Sequence, residues 1–328
     1  MKFALISPAT EIMPDYIDGA VAELIRRGHQ IEVFPHARGP RSGTFAASDR
    51  QRLDDLETAV LDHSIDVILC ARGGYGCVHL LSPELEEMVR MYPKWMIGFS
   101  DVSALHALWL KAGVPSIHAS MAKQYSLVNP SFLSMTDHPE KIMNEIENLT
   151  DMDKHDLEFA TITTLNIIDS DVTQELKYEW AGNPRNIAGF ATGRIVGGNL
   201  AVLNGLAATP WDILSPEYLN GKILFLEDVG EKIYQVERML KRLQLAGSLD
   251  AVNALIFGQF TDYRPDRNFE SMENMISSRL KEWGILCPVV FNAPIGHIHN
   301  NVPIIEGAEC RLDISAERTI IVMKNEKY

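Results

Sequence analysis

Three kinds of side chain in this 328-residue chain could share one piece of chemistry: a serine in a sharp turn, a histidine in a glycine turn, and a carboxylate at the end of an apolar run. The serine is Ser100, within KWMIGFSDVSALHALW (94–109). There the apolar run Trp95-Met96-Ile97 meets Gly98, one aromatic, then Ser100 and Asp101, and apolar residues recur at helical spacing as Val102, Leu105, Leu108 and Trp109. This is a strand, a turn and a helix. It sets a hydroxyl beside the free N–H groups of a helix start, which stabilise developing negative charge. Ser100 is thus placed as a nucleophile. Serine before aspartate at a helix start is also ordinary capping chemistry, and Val102 stands where a Gly-x-Ser-x-Gly elbow has its second glycine.

A serine hydroxyl attacks only when a base takes its proton, and the base needs a third group to fix its tautomer and stabilise its charge. Among ten histidines, His297 ends the turn Pro294-Ile295-Gly296-His297, where glycine allows close approach, and His299 follows two residues on. His106 lies on the helix after Ser100, pointing away from the turn, and reads as a packing residue. Glu227 and Asp228 end the apolar strand Lys222–Leu226. A carboxylate there is costly unless paired, and a histidine is an efficient partner. Neighbours at a strand end point opposite ways, so only one faces the site, and Glu227 could equally cap the helix that follows. Spacing leaves both choices open, Glu227 against Asp228 and His297 against His299.

The elements that carry these residues form two series. Residues 1 to about 125 alternate strand and helix: Phe3–Ile6, Tyr16–Arg27 stopped by Gly28, Gln30–Phe34, Ser48–His63, Asp66–Cys70, a helix after Ser82-Pro83, then the Ser100 unit and a short strand from Ser116. Such alternation predicts a doubly wound, mostly parallel sheet, with ligands gathered beyond the carboxyl ends of its strands. Two loops reach that edge before Ser100: Ser7-Pro8-Ala9 and Ala71-Arg72-Gly73-Gly74-Tyr75-Gly76. The second fits neither Gly-x-Gly-x-x-Gly nor the Walker pattern, which argues against a dinucleotide cofactor; its glycines suit a backbone N–H brought close to a reacting oxygen, or a plain turn. Arg72 is a candidate clamp for a substrate carboxylate, and Tyr75 a candidate pocket residue.

From about Asn129 to Asn186 the chain is polar and acidic, with a helix Pro139–Leu149, a β-branched run Thr161–Ile168 and the loop Gly182-Asn183-Pro184-Arg185. The remainder reads as a second unit of mixed strand and helix. Its strands are Gly193–Val196, Lys222–Leu226, Ala254–Phe260, Val289–Asn292, Ala308–Ile314 and Arg318–Met323, and its helices include Tyr234–Leu245 and Ser271–Trp283. Gly197-Gly198-Asn199 opens a helix, where Asn199 is either a substrate contact or a cap. The expected organisation is an N-terminal parallel-sheet domain over 1–150, a connecting segment 151–186 and a C-terminal β/α domain over 187–328, an α/β protein throughout.

Composition excludes several classes. The formal net charge of −14 and a pI near 5.2 disfavour nucleic acid as a partner. Cys70, Cys77, Cys287 and Cys310 are scattered without metal spacing and read as reduced cytoplasmic thiols. The first apolar run is too short for a signal-peptide core, and no stretch approaches the roughly 20 apolar residues of a membrane helix.

Taken together, six blocks resemble the LD-carboxypeptidase family of serine peptidases, which includes muramoyltetrapeptide carboxypeptidase and the microcin C self-immunity protein. They are ARGGYG (71–76), IGFSD (97–101), GRIVGGNL (193–200), LFLEDVGE (224–231) with Tyr234 and RML (238–240), IFGQF (256–260) and PIGH (294–297). The resemblance implies a triad of Ser100, Glu227 and His297, selecting Glu227 over Asp228 and His297 over His299. It implies an oxyanion hole from the backbone N–H groups of Gly74 and Asp101, whose side chain is then expected to cap the helix. It further implies a cytoplasmic homodimer without metal or other cofactor, acting on a murein peptide by removing a C-terminal D-alanine during peptidoglycan recycling. A self-immunity hydrolase of peptide antibiotics and a non-catalytic murein-peptide-binding protein are the alternatives. The chain departs from the family in having Glu237 for an aspartate, and Val302-Pro303-Ile304-Ile305-Glu306-Gly307 for a Leu-Pro-Leu-Gly run after the histidine.

Overall fold

The computed structural model describes residues 1–136, 139–170 and 174–325. Its contacts divide the chain into two units, Met1–Asp171 with His299–Ile304, and Val172–Ile298 with Ile305–Lys327. Each unit is built on its own sheet.

The first unit runs β1 (Lys2–Ile6), α1 (Pro14–Arg26), β2 (Gln30–Val33), α2 (Asp49–Leu61), β3 (Val67–Cys70), α3 (Pro83–Met91), β4 (Trp95–Gly98), α4 (Ser103–Ala112), β5 (Ser116–His118), α5 (Ala122–Val128), α6 (Pro139–Glu147) and α7 (Asp151–Asp169). The strands lie in the order β5-β4-β3-β1-β2, all parallel. β3 and β4 are wholly buried along VILC and WMIG, as a parallel sheet covered on both faces requires. α1 packs on α5 and α5 on α7, while α3 packs on α2 and α4. With right-handed crossovers, these two groups cover opposite faces. The winding reverses between β1 and β3, so the loops after β1, β3 and β4 share the carboxyl edge beside the switch point, the usual place for a ligand in such sheets.

The second unit begins with β6 (Gln174–Ala181) and β7 (Gly189–Asn199), followed by α8 (Leu200–Gly205), α9 (Pro216–Leu219), β8 (Ile223–Val229), α10 (Ile233–Ala246), α11 (Ser248–Ala251), β9 (Ala254–Thr261), α12 (Met272–Glu282) and β10 (Val289–Val290). It closes, after β11 (Ile304–Glu306), with β12 (Glu309–Ile314) and β13 (Arg318–Asn325). Ile304 of β11 belongs to the first unit, whose sheet takes β11 beside β5. The second sheet has the order β10-β9-β8-β7-β12-β13-β6. β7 serves both halves: Gly189–Arg194 pairs antiparallel with β12, and Ile195–Asn199 pairs parallel with β8. β8 is buried on both faces, whereas β12 and β13 alternate buried with exposed residues and turn one face to water.

Several elements differ from the sequence reading. β7 starts before Gly193, because Gly189–Thr192 lacks an apolar run but completes its ladder with β12. β8 continues through Glu227 and Asp228, so both carboxylates sit inside a strand. The β-branched run 161–168 is helical: Thr150 and Asp153 form a capping box at the start of α7, and Thr161 and Thr164 return their hydroxyls to the carbonyls of Leu157 and Ala160. Of the segment 151–186, positions 171–173 lie outside the described residues. No described helix is long and apolar enough to cross a membrane.

Candidate active site

In the first unit, β4 ends at Gly98 and the chain doubles back over it. A Cβ on Gly98 would lie 2.7 Å from Cγ1 of Val102, so Val102 fills the space that only glycine leaves free. The missing second glycine of the elbow is thereby explained: the tight approach is made by one glycine and one packed valine. Ser100 follows with φ of 64°, in the left-handed region. That conformation costs a non-glycine residue about 1–2 kcal/mol and persists only where its surroundings hold it.

The glycine loop lies against this turn. A Cβ on Gly73 would stand 2.9 Å from Ser100 Cβ and 3.2 Å from Asp101 N. Gly74 has φ of 112°, and a Cβ there would meet Thr10 Oγ1 at 2.3 Å. Thr10 accepts from the N–H of Tyr75 at 3.0 Å, and the buried Arg52 guanidinium donates to Pro8 O and to Gly76 O, joining the loops after β1 and β3. Among the described residues, neither the Gly74 nor the Asp101 N–H donates to a protein acceptor. The Asp101 carboxylate does not cap its own helix, as the sequence suggested. It accepts from the N–H of Cys77 at 2.9 Å, pinning the far end of the glycine loop, and burial raises its pKa above the usual carboxylate value. Arg72 donates to Glu11 O at 3.3 Å, and the Tyr75 ring is 54% exposed.

In the second unit, the pairing of β8 with β9 shifts register between Leu226 and Asp228, the extra residue lying on β9, so that Glu227 is skipped in that ladder while it pairs with Asn199 of β7. Glu227 is fully buried and its Oε2 lies 2.7 Å from Nδ1 of His297. A carboxylate only accepts, so Nδ1 carries the proton and Nε2 is left as the base. Two motif glycines make room for this pair. A Cβ on Gly296, whose φ is 123°, would fall 2.9 Å from Glu227 Oε2, and one on Gly258 would fall 3.2 Å from Glu227 Cβ. Burial draws the His297 pKa down, but the Glu227 carboxylate outweighs it, with Asp228 and Asp262 adding, and the value ends above that of a free imidazole.

Asp228 turns the other way, as alternation along a strand requires. It accepts from the N–H groups of Ala201 at 2.9 Å and Val229 at 2.8 Å and from the Asn199 amide at 3.2 Å. Burial, then the charge of Glu227, pushes its carboxyl up to about 7. Asn199 also accepts from Val202 N at 3.1 Å, so it caps α8 while bracing Asp228. His299 is half-buried, with Nε2 3.9 Å from Asp153. The structure therefore brings together Ser100, Asp101 and the glycine loop in one unit, and Glu227 with His297 in the other. Thr10, Arg52 and the bracing of Asp228 had no sequence signal, since their bonds join residues distant along the chain.

A serine at a strained strand–helix turn and a buried carboxylate–histidine pair are the components that serine hydrolases use. Residues 3–119 match the LD-carboxypeptidase N-terminal domain and residues 192–312 the LD-carboxypeptidase C-terminal domain. The chain is 30% identical over 300 residues to the murein tetrapeptide carboxypeptidase of Pseudomonas aeruginosa, covering 90% of this chain and 88% of that one. It is 26% identical to the microcin C7 self-immunity protein of Escherichia coli, covering 94% and 84%. The crystal structure of muramoyltetrapeptide carboxypeptidase from Oxalobacter formigenes superposes with a TM-score of 0.79 at 25% identity, covering 98% of each chain. The chain belongs to the LD-carboxypeptidase family, and it is a serine-type carboxypeptidase.

Proposed function

We propose that Ser100, His297 and Glu227 act as a triad that removes the C-terminal D-alanine from murein tetrapeptides during peptidoglycan recycling. The 2.7 Å contact between His297 Nδ1 and the fully buried Glu227 carries this reading, because it fixes the tautomer that leaves Nε2 as a base. The strained φ of Ser100 and the murein tetrapeptide carboxypeptidase among the relatives support it.

Ser100 Oγ attacks the carbonyl before the terminal residue while its proton passes to His297 Nε2. The N–H groups of Gly74 and Asp101 hold the oxyanion, and Glu227 stabilises the imidazolium. The C–N bond then breaks as His297 returns the proton to the amine of D-alanine. Water, deprotonated by His297, hydrolyses the acyl ester and frees the tripeptide carboxylate and Ser100. Arg72 holds the terminal carboxylate of the substrate. Tyr75 contributes its exposed side chain, while Asn199 serves the site indirectly, by capping α8 and bracing Asp228. On the same reading the enzyme works in the cytoplasm as a homodimer without a metal, in keeping with its four free cysteines.

The microcin C7 self-immunity relative, and the solved complexes of that protein with glutamyl sulfamoyl guanosine and aspartyl sulfamoyl adenosine, make an aminoacyl-sulfamoyl nucleoside the competing substrate class. Incubation with both substrates separates the two: release of D-alanine from tetrapeptide, with the sulfamoyl compound intact, is the expected result. Cleavage of the sulfamoyl compound alone would replace the murein reading with the self-immunity one.

A further inference from the structure

His106 is a buried imidazole in a helix whose other inward residues beyond the first, Ser103, are apolar, Leu105, Leu108 and Trp109 among them. An imidazole in such surroundings costs free energy unless both nitrogens are bonded, and a leucine would pack there at less cost. Both nitrogens are bonded. Nε2 lies 2.9 Å from the carbonyl oxygen of Gly98, and Nδ1 lies 2.7 Å from the hydroxyl of Ser116. A carbonyl only accepts, so Nε2 carries the hydrogen and Nδ1 accepts from Ser116, which fixes the tautomer. Burial holds the imidazolium pKa down at about 4, so the ring is neutral at physiological pH.

The placement of these bonds matters more than their number. Gly98 ends β4 two residues before Ser100, and its carbonyl also receives the N–H of Ala119 at 2.9 Å. His106 thus joins the strand that enters the nucleophile turn to the helix that leaves it, and Ser116 ties both to the neighbouring strand β5. A residue with φ of 64° keeps that conformation only where its flanks cannot move.

We infer that His106 is a positioning residue: with Ser116 directing its tautomer, it clamps the Gly98 carbonyl and so holds Ser100 in its left-handed, attacking conformation. The inference rests on the reading of Ser100 as the nucleophile.

The test compares His106→Leu, His106→Gln and Ser116→Ala with the wild type. The measurements are melting temperature, the labelling rate with a fluorophosphonate probe, and kcat and KM for D-alanine release. His106→Leu should label and turn over about 10- to 100-fold more slowly with KM within about twofold, the loss expected of a nucleophile displaced by about an ångström. His106→Gln, whose amide can donate to Gly98 O, should recover to within about threefold of the wild type. A packing role alone would lower the melting temperature and leave labelling at the wild-type rate, and that result overturns the inference. Should His106→Leu fail to fold, Ser116→Ala decides: slower labelling at an unchanged melting temperature supports the clamp, and wild-type labelling overturns it. A wild-type chain that neither labels nor releases D-alanine refutes the nucleophile and the clamp together, whereas a labelled wild type with an equally fast His106→Leu variant removes the clamp alone.

Discussion

Adjacent carboxylates with different neighbours do different work here. Glu227 gives its charge to His297, while Asp228 spends its hydrogen bonds on the start of α8 and is pushed up to about 7. Because His297 takes a proton only when neutral, kcat/KM should fall on an acid limb whose apparent pKa lies above the ordinary histidine value of about 6.5. Asp228 is one of the charges that raise it, so Asp228→Asn should move that limb to lower pH; an unmoved limb counts against the coupling. The same carboxyl makes stability depend on pH. The folded state keeps a proton up to about 7 that the unfolded chain releases near 3.8. Its contribution is therefore complete below the unfolded pKa and lost as pH rises through the folded one. Asp228→Asn should melt with the wild type near pH 4 and above it near pH 8, as thermal scans would show. The sequence made Ser100, His297 and the Glu227-Asp228 pair visible through their turns and strand ends. It could not choose between the carboxylates by spacing alone, because the choice shows only in three dimensions, where His297 meets Glu227 and the start of α8 meets Asp228.

At the level of elements, glycine does the positioning. Gly98 admits Val102, Gly73 admits Ser100, and Gly258 and Gly296 leave room for Glu227. Gly296→Ala would set a methyl 2.9 Å from Glu227 Oε2 at a φ of 123°, where alanine is strained. The variant should lose about 100-fold or more in kcat, since the His297 contact cannot keep its 2.7 Å length. The corresponding change at Gly284, which also has positive φ but nothing within 4 Å, should leave kcat within about twofold while costing stability through backbone strain alone. Equal losses in kcat at the two positions would contradict the positioning argument. The parallel strands of the first unit were legible because a sheet covered on both faces needs unbroken apolar runs such as VILC and WMIG. β6 was not, although Leu176, Tyr178 and Trp180 alternate along it, because its exposed residues make it as polar as a linker. The start of β7 escaped for a related reason: glycine and threonine there are held by the ladder with β12.

For the molecule as a whole, the catalytic reading draws one residue from the first unit and two from the second. Residues that act as one device fail together. Ser100→Ala, His297→Ala and the double variant should therefore lose activity to the same residual level, and additive losses would show independent roles. The organisation into two α/β units was legible from the order of strands and helices, and the family from six short blocks spread along the chain. The close contacts that make those blocks necessary are three-dimensional and became visible only in the fold. The most direct test is mass spectrometry of a purified murein tetrapeptide incubated with the wild type and with Ser100→Ala. The account predicts loss of a single alanine from the carboxyl end with the wild type and an unchanged tetrapeptide with the variant. A wild-type product cut at any other bond, or turnover by Ser100→Ala, would contradict it.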